Sequence, residues 1–146
     1  GARSQLLGAM RYRALASPAF IARHFPDGVS PETLVRSAAL VYGPDDLLQH
    51  RYLALLGVQD GFEHHLCPSS EGFIRMIEAG MGWGLAPELQ VRDQLRNGTL
   101  LELLPDRCID VPLYWHHWRN GGQLLTRLTE HLAQHSAHWL VPLSED

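Results

Sequence analysis

The chain has 146 residues, which suits one packed domain and is short for two. With 45% hydrophobic and 19% charged residues it is typical of a globular protein, so disorder is not the default expectation. A formal net charge of -4 offers no general attraction for nucleic-acid phosphates or anionic lipid. Two cysteines are too few for a disulfide framework, and no apolar run approaches the roughly 18 residues of a membrane span. A reduced, cytoplasmic compartment is the simplest interpretation.

The first third of the chain alternates extended and helical patterns. Pro18 discourages helix at the preceding residue, and Ser30 followed by Pro31 is typical of a helix N-terminus. The turn residues Pro-Asp-Gly separate the two helices. The predicted elements are a strand at 11–16, helices at 18–24 and 31–35, a strand at 38–42, and a helical stretch that begins near residue 47.

The rest of the chain continues the alternation. Predicted strands lie at 63–67, 83–86, 100–104 and 111–118, and a helix opened by Pro87 and Glu88 ends at Asn97 and Gly98. An amphipathic helix that Gly80 ends is marked by Phe73, Ile74, Ile77 and Met81. A final helix is marked by Leu124, Leu125, Leu128 and Leu132. This order predicts an α/β fold with a mainly parallel sheet.

Two strand-to-helix junctions carry polar residues suited to binding a small ligand. They are residues 42–46 and 67–71, and ligands of parallel sheets gather at such junctions. The amides and hydroxyls at a helix N-terminus attract a carboxylate, while acidic side chains pair with an ammonium or guanidinium group. The candidates are Asp45, Asp46, Ser69, Ser70 and Glu71. The simpler alternative, that these acids and serines only favour helix starts, stays open.

Other chemistries are less well supported by the residues. Gly80, Gly82 and Gly84 follow a helix and precede a strand, the reverse of the order in a dinucleotide-binding loop. Neither Ser69 nor Ser70 has the flanking glycines of a nucleophile elbow, so each is interpreted as a helix cap. We therefore predict no catalytic residue.

Histidines offer the nearest approach to a metal site. His131, His135 and His138 share one face of the predicted final helix, with no obvious carboxylate or thiolate to complete a ligand set. The pairs at 64–65 and 116–117 alternate along strands, so their members should face opposite ways. We predict neither a metal nor a cofactor.

An ordered series of motifs resembles the effector-binding part of LysR-type transcriptional regulators. The series is RALASPAF at 13–20, DDLLQ at 45–49, SSEGFIRMIEAGMGWGLAPE at 69–88, LRNGTLLEL at 95–103 and VPLYWHHW at 111–118. Within that family the chain is most similar to the arginine- and lysine-responsive ArgP branch, also called IciA. The combinations that indicate the branch are FPDGV at 25–29, DDLLQHRYL at 45–53, PSSEGF at 68–73, PELQVRDQLRNGTLLEL at 87–103 and LYWHHW at 113–118. The resemblance extends from about residue 7 to about residue 140.

The resemblance implies a periplasmic-binding-protein-like fold of type 2, with two lobes around a cleft. Residues 1–17 would end the first lobe and form a crossover strand, 18–107 would form the second lobe, and 108–146 would return to the first. Ala16, Ser17 and Pro18 would lie at the hinge. An N-terminal winged helix-turn-helix and a first-lobe segment, both part of the family pattern, are expected to lie outside this chain.

The resemblance also implies a function. The chain would be a non-enzymatic, cytoplasmic sensor of a basic amino acid such as lysine or arginine, with the five candidate residues as effector contacts. Expected partners are further copies in a dimer or tetramer, DNA through the N-terminal domain, and RNA polymerase, with no membrane. Two alternatives are a solute-binding protein for an amino acid and an enzyme on the same fold, such as a dehydratase or deaminase.

Overall fold

The computed structural model describes residues 2–41, 48–58, 64–67, 69–118, 127, 130 and 140–142. The chain divides into two compact units. One unit is Tyr12–Ile109, and the other joins Gly1–Arg11 to Asp110–Asp146.

Strands and helices alternate along the chain, which confirms the mixed α/β fold. The strands are β1 (Ala2–Ala16), β2 (Ala39–Val41), β3 (His64–Leu66), β4 (Trp83–Pro87), β5 (Leu101–Glu102) and β6 (Ile109–Trp118). The helices are α1 (Pro18–His24), α2 (Pro31–Arg36), α3 (Leu48–Leu55), α4 (Ser70–Glu78) and α5 (Arg92–Asn97), with a 3₁₀ turn at Glu88–Val91 before α5. The strand expected at 11–16 thus begins much earlier, at Ala2.

The strands of the larger unit form a mixed sheet, in the order β3-β2-β4-β1-β5. β2 is parallel to β3 and to β4, whereas β1 is antiparallel to β4 and to β5. The expectation of a mainly parallel sheet is therefore wrong for β1.

The centre of this sheet is β4, whose residues Trp83 to Ala86 are all buried. Helix α4 covers one face of the sheet through Phe73, Ile74 and Ile77, which join the apolar core. Met81, which the periodicity assigned to the same stripe, is 53% exposed, because the helix ends at Glu78 and Gly80 turns the chain with φ of 79°. That assignment was wrong.

Glycines set how closely α4 and β2 approach β4. A Cβ at Gly84 would lie 2.8 Å from Phe73 Cζ, and one at Gly82 would lie 2.8 Å from the Ala38 carbonyl oxygen. Distances this short require the neighbours to move. The three glycines thus belong to a helix-to-strand turn with close packing, as their order along the chain predicted.

Arg13 ties three parts of the larger unit together. Its Nε donates to Glu88 Oε2 at 3.0 Å, and its Nη1 donates to the Pro105 carbonyl at 3.0 Å. Glu102 Oε2 lies 3.7 Å from the same Nη1. Only 17% of the Arg13 side chain is exposed, whereas the Glu88 side chain is 44% exposed, so the network connects β1 to the segments on either side of α5 from a mostly buried guanidinium to partners near solvent.

The smaller unit is described mainly through β1, β6 and residues 140–142. β6 pairs with β1, and Arg11 makes a bidentate ion pair with Asp110 at 2.9 and 3.0 Å. Ala9 and Val141 exchange two backbone hydrogen bonds of 2.7 and 2.9 Å. The leucines of the expected final helix lie outside the described residues.

Replacing Gly84 with alanine should lower the free energy of unfolding by about 1–3 kcal/mol, because the added methyl group overpacks the core against Phe73. Urea unfolding measures this difference. The matched control is Gly72→Ala on α4, where the added Cβ meets Ser69 Cβ at 3.4 Å and alanine favours the helix by about 0.5–1 kcal/mol. Equal stability for the Gly84 variant and the native protein would contradict the proposed contact.

Candidate functional site

The junction before α4 is fixed by Cys67. The backbone N–H of Cys67 donates to the Val41 carbonyl at 2.8 Å, so the chain leaves β3 fastened beside the end of β2. The thiol is buried, and it donates a weak hydrogen bond to the Ser69 carbonyl at 3.5 Å. These contacts hold the start of α4 against the edge of the sheet.

Ser69 caps α4. Its Oγ accepts a hydrogen bond from the Gly72 N–H at 3.2 Å, and its own backbone is extended. The interpretation of Ser69 as a helix cap is therefore confirmed. The hydroxyl keeps its proton and remains exposed, so it can still donate to a ligand.

The other candidates at this junction also begin α4. Ser70 is the first residue of the helix, and Glu71 in the first turn has an exposed side chain. The first amides of a helix lack intrahelical partners and carry partial positive charge, and here the Gly72 amide is already taken by the Ser69 cap. The backbone can therefore attract an anion, while Glu71 offers a carboxylate to a cation.

Asp45 and Asp46 lie outside the described residues. Before them β2 ends at Val41, and after them α3 begins at Leu48. Gln49, in the first turn of α3, donates from Nε2 to the Leu40 carbonyl at 2.7 Å. Neighbouring carbonyls at the end of β2 thus accept hydrogen bonds from residues beside both junctions, Leu40 from Gln49 and Val41 from Cys67.

Sequence reasoning missed Gln49 and Cys67 as residues that fix the junctions. Gln49 is completely buried and shares the inner face of α3 with Tyr52 and Leu53. Their spacing of three and four residues was the available signal, because a polar residue in an otherwise apolar helical stripe requires a partner in the core.

Three buried polar atoms on α3 and β4 have no hydrogen-bond partner within the part of the chain that the structure describes. They are Gln49 Oε1, Tyr52 Oη and Trp83 Nε1. The rings of Tyr52 and Trp83 pack 6.1 Å apart, centre to centre. Burial, with a further contribution from the negative charge of Asp106, raises the pKa of Tyr52 to about 12.

Ala16, Ser17 and Pro18, expected at a hinge, all belong to the unit Tyr12–Ile109. Ala16 ends β1 and is completely buried, and Pro18 begins α1. Ser17 caps that helix, since its Oγ accepts from the Phe20 N–H at 3.1 Å. Their role as a hinge stays a prediction.

The possible metal ligands do not assemble among the residues that the structure describes. No group of three or more histidine, cysteine or acidic side chains lies close enough there to hold an ion. His64 and His65 are both exposed on β3. His131, His135 and His138 lie outside the described residues, as do the side chains at 116 and 117. No described helix is both long and apolar enough to cross a membrane.

The profile of one family, described as the LysR substrate binding domain, matches residues 1–139. The chain belongs to this family. Its fold agrees with solved structures of relatives, and the resemblance inferred from the motifs is confirmed down to the ArgP branch.

Three relatives show how similar the chain is to known proteins. It is 78% identical over 143 residues to the HTH-type transcriptional regulator ArgP of Pseudomonas fluorescens, covering 98% of this chain and 48% of that protein. The crystal structure of ArgP from Mycobacterium tuberculosis superposes with a TM-score of 0.89 at 30% identity, covering 98% of this chain and 49% of that one.

The third relative is the full-length regulator LysG from Corynebacterium glutamicum, whose structure contains the bound effector Arg. It superposes with a TM-score of 0.80 at 35% identity, covering 97% of this chain and 49% of that one. This chain therefore spans about half the length of ArgP and LysG relatives.

Ser69→Ala should destabilise the protein by about 1 kcal/mol, because the Gly72 amide loses its capping acceptor. Ser69→Asp is the control, since an aspartate at the N-cap also accepts a hydrogen bond and should retain most of the native stability. Urea unfolding curves of both variants test the cap. An alanine variant as stable as the native protein would show that this hydrogen bond contributes nothing.

Tyr52 should make stability depend on pH in alkaline solution. Its pKa is about 12 in the folded protein against an ordinary value of 10.0, so unfolding is favoured as pH rises through this interval. The contribution is fully present below pH 10.0, and about 2 kcal/mol of it is lost by the time the pH reaches 12. Unfolding measured across this range should show a smaller decline for Tyr52→Phe. The absorbance of the phenolate measures the pKa of Tyr52 independently. A pKa near 10.0 in the folded protein would contradict the predicted pH dependence.

Proposed function

We propose that this chain is the effector-sensing part of a LysR-type DNA-binding transcriptional regulator and that its effector is a basic amino acid such as lysine or arginine. The observation that carries the proposal is the arginine bound to LysG, a relative 35% identical over 97% of this chain. The name ArgP, shared by relatives as similar as 78%, supports the same effector class.

The chemistry of the α4 N-terminus supports one end of the ligand. A free amino acid presents a carboxylate, which the amides of the first turn and the hydroxyls of Ser69 and Ser70 would receive. Charge-assisted hydrogen bonds of this kind are stronger than neutral ones. The macrodipole of α4 adds a favourable field within its first turn.

The acidic candidates suit the other end of the ligand. Asp45, Asp46 and Glu71 would pair with the α-ammonium group and with the cationic side chain of lysine or arginine. Two cationic groups on one ligand call for more than one carboxylate, and these junctions supply three. A neutral amino acid would leave part of this negative charge unpaired, which lowers its affinity.

We place residues 1–17 and 108–146 with a first lobe and 18–107 in the second, with Ala16, Ser17 and Pro18 at the hinge. An effector that binds one arrangement of the lobes more tightly shifts the population toward it. Moving such an equilibrium from 1:99 to 99:1 takes about 5.5 kcal/mol of differential binding. No covalent chemistry is required, so the proposed role is non-enzymatic.

The same proposal sets the partners of the whole protein. Two or four copies would associate, and DNA would be bound by a helix-turn-helix domain encoded upstream of this chain. RNA polymerase would be contacted in the assembled regulator. This role places the protein in the cytoplasm, where both DNA and free amino acids are present.

Isothermal titration of the full-length gene product with lysine, arginine, leucine and glutamine tests the effector class. We expect binding of lysine or arginine at least about tenfold tighter than of either neutral amino acid, a difference of about 1.4 kcal/mol. Binding of another metabolite without either basic amino acid would overturn the assignment.

Asp45→Asn and Asp46→Asn test the contacts with the cation while keeping side-chain size. Each variant should bind the basic amino acid about tenfold or more weakly, since a charge-assisted hydrogen bond becomes a neutral one. Asp93→Asn, at an exposed position in the first turn of α5, is the control for a general loss of negative charge. Full affinity in both variants would remove these two residues from the site.

A further inference from the structure

Two strands carry the chain between the two compact units. β1 passes from the smaller unit to the larger between Arg11 and Tyr12, and β6 returns to the smaller unit between Ile109 and Asp110. The backbone makes these two passages and no others, because the larger unit is the continuous stretch Tyr12–Ile109. A structural change that travels along the chain from one unit to the other must therefore pass through β1 or β6.

An ion pair connects the two strands where both of them change unit. Arg11 Nε donates to Asp110 Oδ1 at 2.9 Å, and Nη2 of the same guanidinium donates to Oδ2 at 3.0 Å. Two parallel hydrogen bonds fix the orientation of the two groups as well as their separation. The side chains are 32% and 25% exposed, so solvent and salt screen their attraction less than that of a fully exposed pair.

Backbone hydrogen bonds fasten β1 on both sides of this position. Before it, Ala9 exchanges two hydrogen bonds with Val141, and after it Tyr12 pairs with Pro87 of β4. The ion pair lies between these two fastened points, and it joins residues that are 99 positions apart in the sequence. It therefore links β1 to β6 at the place where each strand passes from one unit to the other.

A second arginine on β1 makes a different kind of contact. Arg11 and Arg13 lie on the same face of the strand, because side chains two residues apart in a strand point the same way. Arg13 donates to Glu88 and to the Pro105 carbonyl, both in the larger unit. Arg11 instead donates to Asp110 in the smaller unit. One arginine thus stabilises the larger unit, and the other joins the two crossing strands.

We propose that the Arg11–Asp110 ion pair is a clasp that fastens β1 to β6 where both strands change unit, so that the two strands transmit a structural change together. Without the clasp, one strand could yield while the other kept its position, and the smaller unit would follow the larger one less completely. With it, displacement of either strand displaces both. Ala16, Ser17 and Pro18 lie inside the larger unit, so the clasp is separate from the hinge proposed there.

The clasp has a consequence for effector sensing, and this part of the inference rests on the proposed function. The candidate contacts Ser69, Ser70 and Glu71 belong to the larger unit. A sensor works only when binding at such residues changes the rest of the molecule, and the strength of that coupling is a free energy shared by the two places. The clasp would therefore set how strongly effector binding in the larger unit changes the smaller one.

Arg11→Gln and Asp110→Asn test the clasp, since each keeps a polar side chain and removes its charge. The double variant that combines Arg11→Asp with Asp110→Arg restores opposite charges across the two strands. The matched control is Arg107→Gln, a few residues before the crossing in β6. Arg107 is 50% exposed and lies 3.9 Å from Asp106, and an exposed pair of this kind contributes little.

The first measurement is amide hydrogen exchange in the full-length protein without effector. Arg11→Gln should accelerate exchange by about tenfold in residues 9–13 of β1 and also in 109–111 of β6, and Asp110→Asn should do the same. The double variant should return both strands to within about threefold of the native rates, and Arg107→Gln should keep the native rates. Native exchange in β4 shows that each variant is folded. Unchanged exchange in β6 of the Arg11→Gln variant would overturn the clasp.

The second measurement repeats the exchange experiment with saturating lysine or arginine. In the native protein the amino acid should slow exchange near the start of α4 and also in residues 2–9 of β1. Asp110→Asn should keep the protection near α4 and reduce that of residues 2–9 by about threefold or more. Protection of residues 2–9 that is absent from the native protein, or equal in both proteins, would contradict the role in sensing. If neither amino acid protects α4 in the native protein while the first measurement shows both strands accelerated, the proposed function fails and the clasp stands.

Discussion

The close approach of α4 and β2 to the central strand β4 is the constraint on which the larger unit depends. Gly84 leaves the space that Phe73 fills, and Gly82 lets the Ala38 carbonyl approach the backbone. A side chain at either position would push the neighbouring element outward. Because α4 begins at the candidate effector site, pushing the helix outward would also move the amides at its N-terminus. In catalytic sites a misplacement of about 1 Å can lower the rate about a hundredfold.

Hydrogen bonds accepted by the end of β2 also hold the junctions that precede α3 and α4. The carbonyls of Leu40 and Val41 are neighbours in sequence, and they accept from Gln49 and from the Cys67 amide. One strand of three residues thus fixes the entry to α3 and the entry to α4. Gln49 Oε1, Tyr52 Oη and Trp83 Nε1, which have no partner among the described residues, are the less favourable side of this arrangement, because a buried polar atom without a partner costs about 1–3 kcal/mol.

Periodicity and capping residues were enough to predict most elements, because each depends on residues close together in sequence. Helix α1 at Pro18–His24 and the cap at Ser30 follow from local chemistry of this kind. The direction of β1 and the hydrogen bond from Gln49 depend instead on contacts between distant parts of the chain. The prediction that Met81 is buried was wrong for a different reason. Its spacing fits the apolar face of α4, but Gly80 turns the chain before Met81 is reached. Serine and acidic residues are common at helix N-termini. The sequence could therefore suggest the site residues, but it could not show whether each one caps the helix or binds a ligand.

Trp83 gives the larger unit an optical property of its own. The chain has four tryptophans, and the other three, at 115, 118 and 139, fall outside Tyr12–Ile109. The indole of Trp83 is completely buried in the central strand, with its ring beside that of Tyr52. Because tyrosine emission overlaps indole absorption, excitation energy can pass from Tyr52 to Trp83 within the same core. With the other three indoles replaced, tryptophan fluorescence would report on the packed interior of this unit alone, which separates its unfolding from that of the rest of the chain.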